Sequence, residues 1–245
     1  MKNILIIGAT STIAKECAKI WASENKNIFL VGRDKSKLNF IENELKSIGS
    51  KEVSSLVMDI NSFEEHKNML DEAEKNLKSI DIVLIAHGTL TNQESAENNF
   101  AETLEEIKTN SLSVISLLTE ISNRFIQTKN GIIAIISSVA GDRGRARNYI
   151  YGSAKAMVTT YASGLRQRLS KHNISVVTIK PGFVDTPMTI NKNKNFLWSK
   201  PRTVALAIVK AIKNKKSEIY VPSYWRIIML IIKLIPNFIF NKIKL

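Results

Sequence analysis

Apolar residues fall into two kinds of run along the chain. Short β-branched and aliphatic stretches, at Asn3 to Ile7, Ile28 to Val31, Val53 to Met58, Ile80 to Ile85, Gly131 to Ile136 and Ile174 to Ile179, read as strands. Between and after them, apolar positions recur at helical period in Thr12 to Ala22, Lys35 to Ile48, Phe63 to Leu77, Phe100 to Ile126, Tyr149 to Ser170 and Thr203 to Ile212. Several short runs are apolar at every position, as expected when both faces of a strand are covered. Each longer segment can make a right-handed crossover. The pattern predicts an α/β fold, a doubly wound parallel sheet, without internal repeats or a low-complexity linker.

Composition narrows the class. A chain of 245 residues, 44% hydrophobic and 23% charged, suits one domain with a full-sized core. The single cysteine, Cys17, excludes an intramolecular disulfide, and His66, His87 and His172 are too scattered for a metal-ligand pattern, so no metal site is expected. Ile4 to Ile7 is too short for the apolar core of an export signal, and no stretch has the uncharged length of a spanning helix. A reducing, cytoplasmic location follows as the expectation.

The chemistry-bearing residues gather where strands end. The first strand closes on Gly8 and passes through Gly-Ala-Thr-Ser-Thr-Ile-Ala into a helix, with small or hydroxyl residues where a backbone meets a pyrophosphate. The plainer alternative is a turn capped by Thr10 or Ser11. Arg33 ends the second strand, where dinucleotide-binding units distinguish a ribose hydroxyl from a 2′-phosphate, and it favours the phosphate unless it is an ordinary surface charge. Tyr151 and Lys155 lie four apart and project from one helix face. A tyrosine packed beside a lysine stem would look the same, so the other coincidences matter. Ser138 ends a strand thirteen residues before Tyr151, Ala86-His87-Gly88 ends another, Asn110 interrupts a helical stretch, and Pro181-Gly182 follows a further strand.

Together these residues resemble the short-chain dehydrogenase/reductase family across residues 2 to 222, which implies a Rossmann-type fold. The resemblance implies that Tyr151 exchanges a proton with a carbonyl oxygen, and that Lys155 lowers the phenol's pKa and holds the nicotinamide ribose. Ser138 orients the carbonyl, and Asn110 positions a water behind Lys155. It implies cofactor contacts from Gly8, Thr10, Ser11, Thr12, Ile13, Arg33, Asp59, Ile60, Ala86, His87, Gly88, Pro181, Gly182, Val184 and Thr186 as well as Tyr151 and Lys155, with Asp59 at the adenine and Thr186 at the carboxamide. NADP(H) is expected ahead of NAD(H), and a homo-oligomer is a family expectation. The chain departs from the family's glycine-rich loop at Thr12 and Ala14, where a glycine's close approach must tolerate a side chain.

Neighbouring residues carry less. Strand alternation points Ser137 away from Ser138, and Tyr149 falls on another helix face, at the substrate mouth or packed. Asp142, Arg143, Arg145 and Arg147 form either a solvated loop or a clamp for a substrate phosphate. From Asp185 onward twelve basic and two acidic residues give +10 of the net +13. The stretch 223–245 is apolar yet broken by Lys233, Pro236, Lys242 and Lys244. It reads as an amphipathic tail beside the 1–222 catalytic domain, lying on an anionic membrane or folded onto its own domain or a second subunit. Nucleic acid is disfavoured, because the basic residues are interleaved with aliphatic ones.

Within the family, the Gly-Ala-Thr-Ser loop and this tail resemble bacterial decaprenylphosphoryl-2-keto-ribose reductases. That implies ketone reduction on a polyprenyl-phosphate-linked sugar, as in cell-envelope polysaccharide synthesis, at the inner membrane face. The alternatives are a soluble reductase of another carbonyl compound and a dinucleotide-binding regulator without turnover.

Overall fold

The computed structural model describes residues 2–190 and 193–243; Met1, Asn191, Lys192, Lys244 and Leu245 of the sequence reading lie outside the described residues. Among the described residues seven parallel strands form one sheet: β1 (Asn3–Ile7), β2 (Asn27–Gly32), β3 (Val53–Val57), β4 (Ile82–Ile85), β5 (Gly131–Ile136), β6 (Ile174–Pro181) and β7 (Glu218–Val221). Their order is β3-β2-β1-β4-β5-β6-β7. The chain winds outward from β1 in one direction, then returns to lay β4 on the other side. The switch point therefore falls between β1 and β4, where open α/β sheets bind ligands.

Strand pleating sorts the all-apolar runs onto two faces. Ile4, Ile6, Ile28, Leu30, Ile82 and Leu84 pack against α1 (Thr12–Ser23), α2 (Lys35–Ile48) and α8 (Pro201–Lys213). Leu5, Ile7, Phe29, Val31, Val83 and Ile85 pack against α3 (His66–Leu77), α6 (Ser113–Thr128) and α7 (Tyr149–Leu169). This two-sided burial is why the runs do not alternate.

Three elements differ from the sequence expectation. The edge strand β7 and the short helix α4 (Gln93–Asn98) lack a readable apolar pattern of their own. The predicted helix over 100–126 divides into α5 (Phe100–Ile107) and α6, joined by a π-helical turn at Lys108–Leu112 that contains Asn110. Such turns widen the helix by one residue and often mark functional positions.

The tail is not detached from the domain. α9 (Trp225–Leu234) seats Trp225 and Met229 on Val139, with Ile228, Ile232, Leu197 and Tyr220 around them. Trp225 also meets the Phe183 ring edge-on at 5.1 Å between centroids. Gly182 permits this approach, since a Cβ there would stand 1.9 Å from the indole Nε1. The opposite face of α9, at Ile227, Leu230, Ile231 and Leu234, is equally apolar and exposed, as is Phe238 on the short α10 (Asn237–Phe240). No helix among the described residues is long and apolar enough to cross a membrane.

Candidate active site

A cleft of about 390 Å³ opens over the C-terminal strand ends at the switch point. Its lining brings together Gly8, Thr10, Ser11, Thr12, Ile13, Arg33, Ile60, Ala86, His87, Gly88, Ser138, Tyr151, Lys155, Pro181, Gly182, Val184 and Thr186. Two expected site residues stand outside the lining. Asp59 is exposed, and its carboxylate accepts the Asn61 N–H at 2.9 Å; Asn110 is fully buried behind the wall.

The β1–α1 turn is shaped for an anion. Gly8 has φ +81°, and a Cβ there would sit 2.5 Å from the His87 backbone nitrogen, so only glycine lets the β1 and β4 ends approach. Ser11 occupies the N-cap of α1 but its side chain makes no capping bond. The first amides of the helix thus remain available, together with its positive dipole end, which sets aside the capped-turn alternative. Arg33 lines the cleft, while the adjacent Asp34 carboxylate is turned to the Lys37 N–H (3.0 Å) as the N-cap of α2. These features fit a dinucleotide.

At the other end, α7 carries Tyr151 and Lys155 one turn apart, with the Lys155 ammonium 5.6 Å from the Tyr151 ring centre. Lys155 is buried, and desolvation lowers its pKa to about 8, the charge of Glu106 opposing in part. Desolvation likewise raises the Tyr151 phenol to about 12; the facing Ser138 hydroxyl lowers it and the Glu106 charge adds to the rise. The phenol is therefore shifted up, against the expectation that Lys155 holds it down, because burial dominates at this separation. Ser138 Oγ accepts the Ala140 N–H at 3.1 Å, which leaves its own proton free to donate. Ser137 is turned beneath α7, donating to the Lys155 carbonyl at 3.1 Å.

Behind this pair, a Cβ on Gly88 would stand 2.6 Å from Asn110 Oδ1 and 3.3 Å from Lys155 Nζ, so amide and ammonium flank that glycine. The Asn110 amide is committed to Thr89, accepting its N–H (3.2 Å) and donating to its carbonyl (3.1 Å) and hydroxyl (3.0 Å). Glu106 on α5, absent from the sequence reading, holds the same loop: its Oε2 accepts from the Thr89 hydroxyl at 2.8 Å and the Thr91 N–H at 3.2 Å. Its other oxygen is buried without a partner. His87 hydrogen-bonds Ser113 at 2.8 Å, and burial, with the nearby Lys155 charge, takes its pKa down to about 3, so it is neutral at any working pH.

The charged loop after Ser138 is neither a solvated loop nor a four-residue clamp. The Asp142 carboxylate pairs with Lys180 at 2.8 Å and accepts from the Tyr220 hydroxyl at 2.7 Å, shielded from solvent. Burial works against the Lys180 charge, but Asp142 and Glu218 outweigh it and raise its pKa. Arg143 donates to the carbonyls of Ile232 and Ile235 (2.7 Å) and to Asn237 Oδ1 (3.0 Å), and lies 3.7 Å above the Phe240 ring centre. It thereby satisfies the C-terminal carbonyls of α9, where a cation is favoured. Arg147 is exposed and outside the lining, as is Tyr149, whose hydroxyl reaches Glu97 at 3.5 Å. Only Arg145 of this group lines the cleft.

The sequence profile of the short chain dehydrogenases matches residues 2–196. The chain belongs to this family. It is 28% identical over 239 residues to an uncharacterized oxidoreductase of Mycobacterium tuberculosis, covering 98% of this chain and 96% of the relative. It is also 28% identical over 225 residues to the ketoacyl reductase HetN of Nostoc, covering 90% of this chain and 78% of that one. A crystal structure of an actinorhodin polyketide ketoreductase variant with NADPH superposes with a TM-score of 0.81 at 21% identity, covering 90% of this chain and 95% of that one. That likeness establishes the fold. Family membership makes the chain an NAD(P)-dependent oxidoreductase, and the Gly8 turn, the uncapped α1 amides and the buried Lys155 are residues suited to such a cofactor.

Proposed function

We propose that this short-chain dehydrogenase is an NADP(H)-dependent ketoreductase acting on the ketone of a polyprenyl-phosphate-linked sugar at a membrane surface. The observation that carries the reductase reading is the meeting of the Tyr151 phenol, the Ser138 hydroxyl and the buried Lys155 ammonium in one cleft. The bound nicotinamide supplies the hydride. A phenol with its pKa near 12 keeps its proton at neutral pH, the form required to protonate a carbonyl oxygen as it becomes an alkoxide. Ser138 offers a second donor to that oxygen and fixes its direction. Lys155, charged below about pH 8, holds ribose hydroxyls and favours negative charge developing beside it. Asn110 and Glu106 position the Gly88–Thr89 segment against Lys155. Arg33, with Asp34 withdrawn into the α2 cap, supports NADP(H) over NAD(H).

The lipid-linked substrate is supported by the outer face of α9, whose exposed Ile227, Leu230, Ile231 and Leu234 are flanked by Arg226 and Lys233. Apolar side chains with basic neighbours suit the headgroup boundary of an anionic bilayer, each near-surface cation contributing about 1 kcal/mol. Flotation with phosphatidylglycerol vesicles is expected to carry the protein upward, and Ile231→Lys with Leu234→Lys is expected to abolish it. Protein that stays in the buffer layer removes the membrane element.

A second reading, a soluble reductase of another carbonyl compound, here a ketoacyl one, draws its substrate from the name of the Nostoc relative. Turnover of NADPH with a polyprenyl-phosphate ketosugar beside a 3-ketoacyl thioester separates the two.

A further inference from the structure

Three cations line the cleft, Arg33, Lys155 and Arg145, and no carboxylate does among the described residues. The proposed reductase reading employs the first two. Arg145 is left over. It lines the cleft from the loop that joins Ser138 to Tyr151, the two residues that would meet a reacting carbonyl. Its Nε is buried without a hydrogen-bond partner, and burial depresses the guanidinium pKa with only partial relief from Asp142. That carboxylate is already committed to Lys180 and Tyr220.

The position of Arg145 is fixed from both sides of its loop. Asp142 ties the loop to β6 and β7, Arg143 ties it to the end of α9, and the Asn148 N–H donates to the Arg145 carbonyl at 3.0 Å. A planar, permanently charged fork held in a partly dry cleft, with Asp142 committed to other partners, is matched by an oxyanion that accepts two donors at once. Val139, Phe183, Pro187 and Met188 line the same cleft and give the ligand's remainder an apolar wall.

We propose that Arg145 is the receptor for an anionic group, a phosphate or a carboxylate, carried by the substrate near its ketone. The proposal rests on the reductase reading of Tyr151 and deepens it to a substrate class: anionic ketones, attached to an apolar chain or free.

The test is calorimetric binding to the NADP⁺-loaded full chain, comparing farnesyl phosphate, inorganic phosphate, laurate and uncharged farnesol. Wild type is expected to bind farnesyl phosphate, and Arg145→Gln to weaken it on the order of 30-fold, the loss of a charged hydrogen-bonded partner. Farnesol binding and NADP⁺ affinity are expected to stay unchanged, with Arg145→Lys intermediate. Competition by inorganic phosphate or laurate supports a site for the free anion, and its absence, with farnesyl phosphate still dependent on Arg145, supports the lipid-linked form. Equal binding of farnesyl phosphate and farnesol by wild type overturns the proposal. So does wild-type affinity for farnesyl phosphate in Arg145→Gln, or a parallel loss of farnesol binding in both variants. Failure of the reductase reading shows separately, as absence of hydride transfer from NADPH to any ketone by the wild-type protein.

Discussion

Lys155→Met removes a charge that the fold holds at a cost. The lysine is 3% exposed and its pKa falls from 10.5 to about 8, chiefly through desolvation. The difference corresponds to about 3 kcal/mol of stability forfeited at pH 7, at 1.36 kcal/mol per unit. The sign follows from proton counting: between about pH 8 and 10.5 the unfolded chain holds this proton and the folded chain has released it. Wild-type stability therefore gains from Lys155 as pH rises through that window, and the penalty is fully present below it. Methionine keeps the stem volume and carries no charge. Urea denaturation of the cofactor-free protein is expected to show Lys155→Met more stable at pH 7 by about 3 kcal/mol, the gap closing toward pH 10, while turnover is lost. A variant no more stable at pH 7, with a pH profile parallel to wild type, refutes the reasoning.

Tyr151→Phe is expected to leave the fold and NADPH binding intact and to lower kcat by about a thousandfold, read in steady-state turnover of any accepted ketone. Wild-type kcat/KM is expected to fall as pH rises above about 8, where Lys155 loses its charge, and a stopped pH profile measures it. Arg33→Ala is expected to shift the NADPH to NADH preference by about tenfold or more toward NADH, through loss of a charge-assisted contact; an unchanged ratio removes Arg33 from cofactor choice. Gly182→Ala drives a methyl group into the Trp225 indole and is expected to cost about 2 kcal/mol, with indole fluorescence reporting release of α9.

The sheet was legible because covering it on both sides demands unbroken apolar runs, and Ile4 to Ile7 or Ile132 to Ile135 could satisfy nothing else. β7 was not, since an edge strand beginning at exposed Glu218 and reading Glu-Ile-Tyr-Val carries too little pattern. The π turn at Lys108–Leu112 leaves helical periodicity nearly intact, so Asn110 signalled an interruption without revealing its form. Ser138, Tyr151 and Lys155 stood out through spacing at strand ends. Glu106 did not, because its burial depends on Thr89 and Thr91 arriving from another loop. Arg143 looked like a surface cation or a phosphate ligand for the same reason: the carbonyls it satisfies come from the end of α9, some ninety residues away. The tail's composition announced an amphipathic segment, but not that α9 is apolar on two faces, one spent on Val139 and one left outward.

The central claim is that this cleft moves hydride from a nicotinamide to a ketone with Tyr151 as the proton source. Mass spectrometry of the alcohol formed from NADPH with both C4 hydrogens replaced by deuterium and a polyprenyl-phosphate ketosugar, run beside soluble ketones, tests it directly. Wild type is expected to form alcohol carrying one deuterium on the carbinol carbon, and Tyr151→Phe to form almost no alcohol. An unlabelled product, or equal amounts of labelled alcohol from both proteins, contradicts the account.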